Sequence, residues 1–407
     1  MGKNVLIFSD GTGQGPFLPA ARRSNVWKLW NATCNAAPDQ VAFYDPGLGA
    51  ADGPTRSWWR WGYDIISQAT GLGITQNIKD CYDALIEHYE VGDRVFLFGF
   101  SRGAYTVRSV AGVLSLCGIP RTDRSGRDPR KDKAACAAMV EEAVETVYKH
   151  YGSDAKSSDE RAALGAKFRG DHACDPVIPH FIGVWDTVRA LGIPGSSKLF
   201  FWRHGFHNGS LDPRVAYGRQ ALSIDENRKT FAPEVWVESA QDRASGRIKQ
   251  VWFPGVHSDI GGGYAESGLS DLALQWMIAE ATAIADPLCV DTTRLALQPA
   301  FDGLQHDQRT GLGRLWAKGT REAYKPDAVR ESDVNRRFAL AQARAVTGDA
   351  PYRPTALSLH PNYAHYYAEP SDAFAPNVIS LARAMGGSTH TPMAPMIAPC
   401  TSSTSSQ

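Results

Sequence analysis

The sequence Val95-Phe96-Leu97-Phe98-Gly99-Phe100-Ser101-Arg102-Gly103 joins a continuous apolar run directly to a serine flanked by glycines. An unbroken apolar run of this length is typical of a strand that is buried on both faces of a parallel sheet. The residues after it repeat apolar side chains at helical spacing and predict a helix that ends near Gly118. A serine in the pattern Gly-x-Ser-x-Gly between such a strand and such a helix is typical of a nucleophile held on a sharp, strained turn.

The segments around this stretch alternate between strand and helix patterns. Short apolar runs predict strands at Val5–Phe8, Val41–Tyr44, His180–Trp185 and Gln250–Phe253, and helical spacing predicts an amphipathic helix at Gln76–Tyr89. Alternation of this kind indicates a parallel sheet covered by helices on both faces. We therefore predict an α/β fold of the α/β-hydrolase-like type, with a mostly parallel central sheet flanked by helices and with insertions. A further helix, capped by Ser270, is predicted after the last strand.

The chain is predicted to form one α/β domain over residues 1–385. Within it, insertions are expected at about 121–175, with a helix over Ala134–His150 and a polar break over Ser153–Glu160, and at about 189–215. The part from about residue 286 diverges from the periodic pattern. Residues 386–407 are rich in Ser, Thr and Pro and are predicted to be a disordered tail.

Composition excludes several classes of function. The 407 residues carry 43 Lys+Arg and 43 Asp+Glu, so no overall field favours nucleic acid or an anionic membrane. The longest nearly uncharged stretch near the middle of the chain, Val110–Ile119, is about half a membrane span. Seven scattered cysteines without Cys-x-x-Cys spacing favour reduced thiols over a disulfide framework or a zinc site.

A nucleophilic serine needs a base, and the base needs an acid that orients it. Only one of the 11 histidines, His257, follows a strand run within a glycine-rich loop. Asp186 ends the strand His180–Trp185, at the carboxyl edge where a parallel sheet presents reactive groups. The chain order Ser101, Asp186, His257 is that of α/β-hydrolases. Asp225 and Asp259 remain alternatives for the acid.

The oxyanion formed during ester cleavage needs hydrogen-bond donors. The backbone N–H of Arg102, at the start of the helix after the nucleophile, is predicted to be one of them. The second is expected from the loop after the first strand, near Asp10, Gly11 or Thr12, with Gly11 and Thr12 as the candidates. A phosphate-binding P-loop is rejected for residues 10–13, because no Gly-Lys-Ser/Thr sequence ends the loop.

Two further groups of residues remain open. The cluster Trp58, Trp59 and Trp61 could line an acyl pocket or lid, contact a lipid interface, or form a small core under a loop. The pair His204 and His207 lacks a carboxylate cluster, so a metal site is not expected there. Asp225-Glu226-Asn227-Arg228 indicates a local salt-bridge network more than catalysis.

The sequence resembles a known family of α/β-hydrolase domains, many of them of unknown function, that is related to the catalytic module of type VI secretion phospholipase effectors. The resemblance runs from about Lys3 to Trp276 and depends on the joint occurrence of several blocks in one order. These blocks are SDGTG at 9–13, GFSRGAYTVRSVAGVL at 99–114, GVWDTV at 183–188, ALSIDENRKTFAPEVW at 221–236 and VWFPGVHSDIGGGY at 251–264. Carried over by position, the triad of the family falls on Ser101, Asp186 and His257.

The resemblance implies hydrolysis of carboxylic esters, with lipids or phospholipids as the expected substrates and no cofactor. Two alternatives stay open: a catalytically silent scaffold that binds a partner, and an acyltransferase or esterase acting on non-lipid esters. No nucleic-acid partner or transmembrane segment is expected, whereas peripheral contact with a membrane stays open. The N-terminus lacks a signal-peptide pattern, so the expectation is a protein that is cytoplasmic as synthesised, with delivery by a signal-independent secretion system as a further option.

Overall fold

The computed structural model describes residues 2–14, 18–47, 71–150, 155–188, 210–223, 225–253, 255–300, 303–308 and 316–317. Six strands form one sheet in the order β2-β1-β3-β4-β5-β6, and every neighbouring pair is parallel. The strands are β1 (Asn4–Ser9), β2 (Gln40–Asp45), β3 (Arg94–Phe100), β4 (Phe181–Trp185), β5 (Tyr217–Ser223) and β6 (Ile248–Phe253). The predicted α/β fold with a parallel central sheet flanked by helices is confirmed.

Helices cover both faces of this sheet. They are α1 (Asn25–Thr33), α2 (Gly71–His88), α3 (Arg102–Cys117), α4 (Lys133–Glu141), α5 (Ala155–Asp171), α6 (Ala240–Ser245), α7 (His257–Gly261) and α8 (Gly268–Thr282), with a π-helical turn at Glu142–Tyr148 after α4.

The alternation of side chains along the strands divides the core into two layers. Along β3, Val95 and Leu97 pack with α2, α3 and the helices of 133–171, whereas Phe96 and Phe98 pack with α1 and α8 on the other face. All four side chains are buried. Burial on both faces explains why β3 is a continuous apolar run, and it fixes the position of the residue that follows the strand.

Register aligns the carboxyl ends of the central strands. Gly99 pairs with Val184 and Phe100 with Trp185, so the residues after β3 and β4 lie side by side at one edge. Since β5 and β6 continue the sheet in the same direction, the loops after β3, β4 and β6 meet at that edge. Parallel α/β sheets bind ligands at such an edge.

Several sequence predictions need correction. Ser270 does not cap α8, because the helix already begins at Gly268 after Ser267. The polar break expected over Ser153–Glu160 is wrong from residue 155 onward, where α5 begins. Strand β5 and helix α1 were not predicted. The helix expected over Ala134–His150 is present as α4 and the π-helical turn.

The cysteines also depart from expectation at one position. Five of them, at 34, 81, 117, 136 and 174, are free thiols. Cys289 is disulfide-bonded, which contradicts the prediction of reduced thiols there. Scattered spacing along the chain excludes a dense disulfide framework, but it carries no information on a single pair brought together by folding.

Parts of the predicted organisation fall outside the described residues. These are the tail 386–407, most of the insertion at 189–215, the cluster Trp58, Trp59 and Trp61, and the pair His204 and His207. Among the described helices, none combines the length and the apolar character that crossing a membrane requires.

Candidate active site

Ser101 occupies the turn between β3 and α3. Its backbone has φ 57° and ψ −118°, a conformation that costs a non-glycine residue free energy. Its N–H donates to the carbonyl of Trp185 at 3.0 Å, which ties the turn to the end of β4. The strained turn lifts the side chain out of the strand and directs it to the carboxyl edge of the sheet, as expected for a nucleophile.

The two flanking glycines are required by space. A Cβ atom on Gly103 would lie 2.0 Å from the carbonyl oxygen of Ser9, because α3 begins directly against the end of β1. A Cβ on Gly99 would lie 2.5 Å from the carbonyl oxygen of Gly103. Both distances are far below van der Waals contact, so the Gly-x-Ser-x-Gly pattern follows from the packing of β1, β3 and α3.

His257 reaches Ser101 from the loop after β6. It is the first residue of α7, and its Nε2 lies 2.8 Å from the Oγ of Ser101. Its Nδ1 lies 2.5 Å from Oδ2 of Asp186. With Nδ1 carrying the proton that Asp186 accepts, Nε2 is left to accept the hydroxyl proton of Ser101.

Two aromatic rings pack against the imidazole of His257, and a hydrogen bond fixes its backbone. Phe100 lies at 4.7 Å and Phe231 at 5.2 Å between ring centroids. The backbone N–H of His257 donates to Glu226 at 3.2 Å. Glu226 in turn pairs with Arg228 through two hydrogen bonds of 2.7 and 2.8 Å, so the expected salt bridge in 225–228 is present and supports the histidine loop.

Asp186 follows β4 in a left-handed conformation, with φ 42°, and is fully buried. Its N–H donates to the carbonyl of Ala221 at 2.8 Å, and its Oδ1 accepts the N–H of Ser223 at 3.0 Å. The carboxylate therefore bridges the end of β5 and His257. This arrangement differs from a helix cap, the ordinary role of an aspartate before a threonine.

The two alternative acids have other contacts. Asp225 accepts the N–H of Gly255 at 2.7 Å. Asp259 accepts the N–H of Val256 at 3.0 Å and pairs with His306 Nδ1 at 2.7 Å. Both carboxylates thus stabilise the loop that carries the histidine. Neither takes the place that Asp186 occupies beside Nδ1.

Burial lowers the pKa of His257, and the adjacent carboxylate of Asp186 acts in the opposite direction. The net lowering keeps the imidazole neutral at neutral pH. A neutral imidazole can accept a proton, whereas an imidazolium cannot. The site therefore holds its base in the reactive form before substrate arrives.

The loop after β1 borders Ser101. A Cβ on Gly11 would lie 3.5 Å from the Cβ of Ser101, so the two backbones are close neighbours. Asp10 holds this loop: it accepts the hydroxyls of Ser24 at 2.5 Å and Tyr44 at 2.7 Å. Burial raises the pKa of Asp10 to about 6.

The two predicted donors of this loop differ in their partners. The N–H of Gly11 already donates to Oδ1 of Asp10 at 2.7 Å, so it is engaged within the loop. The hydroxyl oxygen of Thr12 is buried and has no hydrogen-bond partner among the described residues. Of these two loop residues, Thr12 is therefore the one whose side-chain donor is uncommitted among the described residues, a distinction that the sequence does not carry.

Arg102, the third predicted oxyanion residue, begins α3. Backbone N–H groups of the first helical turn lack intrahelical partners, and the helix dipole favours negative charge there. Sequence analysis did not identify Glu226 or Phe231 as neighbours of His257; Glu226 stood out only as part of a charged run. Among the described residues, no group of three or more His, Cys, Asp or Glu side chains could hold a metal ion.

The model of the type VI secretion family "phospholipase effector Tle1-like, catalytic domain" matches residues 3–280. An uncharacterised protein of Saccharomyces cerevisiae, YEL023C, is 27% identical in an alignment of 232 residues that covers 52% of this chain and 31% of that protein.

Two solved structures are similar at 18% identity. An uncharacterised protein from Pseudomonas aeruginosa aligns over 96% of this chain and 60% of its own, with a TM-score of 0.42. A Tle1 effector bound to the VgrG spike of the type VI secretion system aligns over 65% of this chain and 51% of its own, with a TM-score of 0.31. The chain thus spans about a third of the curated relative and between half and three fifths of the two solved chains.

Proposed function

This chain belongs to the family of Tle1-like catalytic domains of type VI secretion phospholipase effectors, and we propose that it is a serine hydrolase that cleaves carboxylic esters of phospholipids. The observation that carries the proposal is the hydrogen-bonded series Ser101 Oγ, His257 Nε2, His257 Nδ1 and Asp186 Oδ2, with distances of 2.8 and 2.5 Å. Family membership supports lipid esters as the substrate class.

In the first half of the reaction, Oγ of Ser101 attacks the ester carbonyl carbon while Nε2 of His257 takes the hydroxyl proton. Asp186 holds the imidazole in the required tautomer and stabilises its positive charge. The C–O bond to the alcohol then breaks, and the imidazolium returns the proton to the leaving alcohol oxygen. The products of this half are a lysophospholipid and an acyl-Ser101 ester.

The tetrahedral intermediate carries a negative oxygen. The backbone N–H of Arg102 and the hydroxyl of Thr12 are the donors that we propose for it. A single donor of this kind lowers the barrier by about 2.7–4 kcal/mol in comparable enzymes. The N–H of Gly11, bonded to Asp10, is left out of the proposal.

In the second half, a water molecule replaces the alcohol. Nε2 of His257 takes one proton from it, the oxygen attacks the acyl carbonyl, and the proton returns to Oγ of Ser101 as the acid leaves. An acyltransferase would use the same acyl-enzyme and admit an alcohol in place of water. It would therefore need a second substrate and would show ping-pong kinetics.

Covalent labelling tests the proposal directly. Intact-mass analysis after incubation with a fluorophosphonate is expected to give one adduct on the wild-type protein and none on Ser101→Ala. Phospholipid hydrolysis should be lost in the same variant. Ser109→Ala is the matched control. Ser109 is a second buried serine, and it lies in α3 about two turns after Ser101.

The outcomes separate the alternatives. No adduct on folded wild-type protein, with or without liposomes, would favour the silent scaffold. An adduct without phospholipid hydrolysis would retain the serine hydrolase and move the substrate to other esters. Delivery by a type VI system remains a proposal for this chain, and secretion assays in a strain with and without that machinery would test it.

A further inference from the structure

Arg102 is a buried cation without a side-chain partner among the described residues. Its side chain is 3% exposed, and both terminal guanidinium nitrogens are buried without a hydrogen bond to any described residue. Burial lowers its pKa to about 10, and no neighbouring carboxylate acts against that lowering. The guanidinium therefore stays charged at neutral pH.

The other buried arginines of the described chain are paired. Arg108, on the same helix, donates to the carbonyl oxygen of Glu234 at 2.5 Å. Arg219 pairs with Glu280 at 2.6 Å and donates to two backbone carbonyls at 2.9 Å. This is the rule for buried charges, since an unpaired one is expensive to desolvate. Arg102 departs from the rule at the residue next to Ser101.

The position of Arg102 suggests a function for its unpaired guanidinium. It starts α3, a helix of 16 residues whose N-terminal end favours negative charge. The loop after β1, which borders Ser101, adds a second donor: the hydroxyl of Thr12 is buried and has no partner within the described part of the chain. An anionic group of a bound substrate would supply the missing partner of the guanidinium.

We propose that the guanidinium of Arg102 binds the phosphate group of the phospholipid substrate and so selects phospholipids over neutral acylglycerols. This inference rests on the proposed function. In a glycerophospholipid the phosphate and one acyl ester are attached to neighbouring carbons, so a group beside the nucleophile can reach the phosphate while the ester is attacked. Guanidinium groups bind phosphate oxygens in a bidentate manner. Because the two nitrogens are covered in the free protein, substrate binding has to uncover them.

A matched pair of soluble esters tests the selectivity. Dihexanoylphosphatidylglycerol and dihexanoylglycerol carry the same acyl chains and differ in the phosphate headgroup. For Arg102→Gln, the ratio of kcat/KM on the phospholipid to kcat/KM on the acylglycerol is expected to fall at least about tenfold from the wild-type ratio. Arg102→Lys keeps the charge and should retain part of the ratio.

Arg108→Gln provides the control, because it removes a buried but paired guanidinium from the same helix. Its ratio should stay at the wild-type value even if the loss of its partners lowers stability. A wild-type ratio in Arg102→Gln would overturn the proposal. An equal fall of the ratio in both variants would also overturn it, since the effect would then belong to the helix.

A binding measurement keeps the test independent of turnover. In Ser101→Ala, dihexanoylphosphatidylglycerol should raise the Tm, and adding Arg102→Gln should abolish that rise. The same experiment with inorganic phosphate distinguishes a headgroup site from a site for free phosphate. A rise with inorganic phosphate and none with the lipid would overturn the headgroup assignment.

Failure of the proposed function has a different signature. Wild-type protein that hydrolyses neither ester and takes no fluorophosphonate would remove the enzyme proposal. The Tm experiment would still decide whether Arg102 binds the phosphate of the lipid. A lipid-induced rise that persists in Ser101→Ala with Arg102→Gln would reject Arg102 as the binding group.

Discussion

Thr12 shows how one side chain separates two candidate donors at the same turn. Gly11 and Thr12 are adjacent, and both lie in the loop that borders Ser101. Asp10 accepts the N–H of Gly11, which leaves the Thr12 hydroxyl as the uncommitted donor. A buried hydroxyl without a partner costs free energy in the resting protein. Such a cost is understandable where a developing oxyanion would accept the hydrogen bond.

Thr12→Val removes this hydroxyl and keeps the shape of the side chain. We expect kcat on a phospholipid to fall about 10²–10³-fold, with a much smaller change in KM, because the lost hydrogen bond forms in the transition state. Steady-state kinetics measures both values. Thr12→Ser restores the hydroxyl and should recover most of kcat. Full activity in Thr12→Val would exclude the hydroxyl as a donor.

The sequence predicts the positions of Ser101, Asp186 and His257 because each follows a strand of the parallel sheet. The end of each strand can be predicted from the end of its apolar run. Because the strands are parallel, their carboxyl ends lie at the same edge of the sheet. The role of Thr12 and the support of His257 by Glu226 are not predictable in this way. They depend on hydrogen bonds between side chains and backbone groups that spacing along the chain does not encode.

At the scale of secondary-structure elements, the side chain of Asp10 links β1, α1 and β2. It follows β1, accepts the hydroxyl of Ser24 at the N-cap of α1 and accepts the hydroxyl of Tyr44 in β2. Burial raises its pKa to about 6, and the same is true of Asp45 at the end of β2. In both cases the folded protein binds a proton more tightly than the unfolded chain does.

This difference makes the stability of the junction depend on pH. Below about pH 4 both states hold the proton, and the folded state has no ionic cost at Asp10. As the pH rises from about 4 to 6, the unfolded chain ionises first, and the free energy of unfolding falls by on the order of 3 kcal/mol for each such carboxyl. Above about pH 6 both states are ionised, and the free energy of unfolding does not fall further on account of these carboxyls.

Asp10→Asn should reduce that fall, because asparagine does not titrate. Urea unfolding between pH 4 and 7 is expected to show a smaller fall in stability than in the wild type, while Asp45 keeps its own contribution. Asp171→Asn is the control: Lys167 lowers the pKa of Asp171, so its contribution changes only below this window. An unchanged slope in Asp10→Asn would show that Asp10 is not the buried acid responsible.

Strand β5, which the sequence does not predict, has polar residues at buried positions. Strand β5 contains Arg219 and Gln220, which are buried yet paired with Glu280 and with the carbonyl of Glu234. These partners lie far away along the chain, so the strand lacks the apolar run that identified β3. Tertiary pairing overrides local pattern there.

At the scale of the whole molecule, the chain continues to build the fold beyond residue 280, where the family match ends. Leu288 and Val290 are buried in the core layer of α1 and α8. The backbone of Cys289 exchanges two hydrogen bonds with the side chain of Gln40, at 2.9 and 3.1 Å. The segment therefore packs beside β2, the edge strand of the sheet.

The ring of Trp316 lies 5.6 Å from Phe231, which contacts His257. Lys229, before Phe231, donates its N–H to the carbonyl of Ala317 at 3.0 Å. The later chain thus also contacts the residues that position the base. Weakening periodicity beyond residue 286 hides this role, because one ring and one backbone carbonyl make these contacts in place of a regular element.

Leu288→Ala tests whether this later segment stabilises the whole fold. Leu288 is 3% exposed, and its truncation leaves a cavity in the core, so the free energy of unfolding should fall by about 2–5 kcal/mol. Leu304→Ala is the matched control: it also lies beyond residue 280 but is 62% exposed, and its effect should stay within about 0.5 kcal/mol. Urea unfolding measures both values. Equal and small effects would mean that the part beyond the family match unfolds separately, whereas a large effect at Leu288 alone would make it part of one cooperative unit with the sheet.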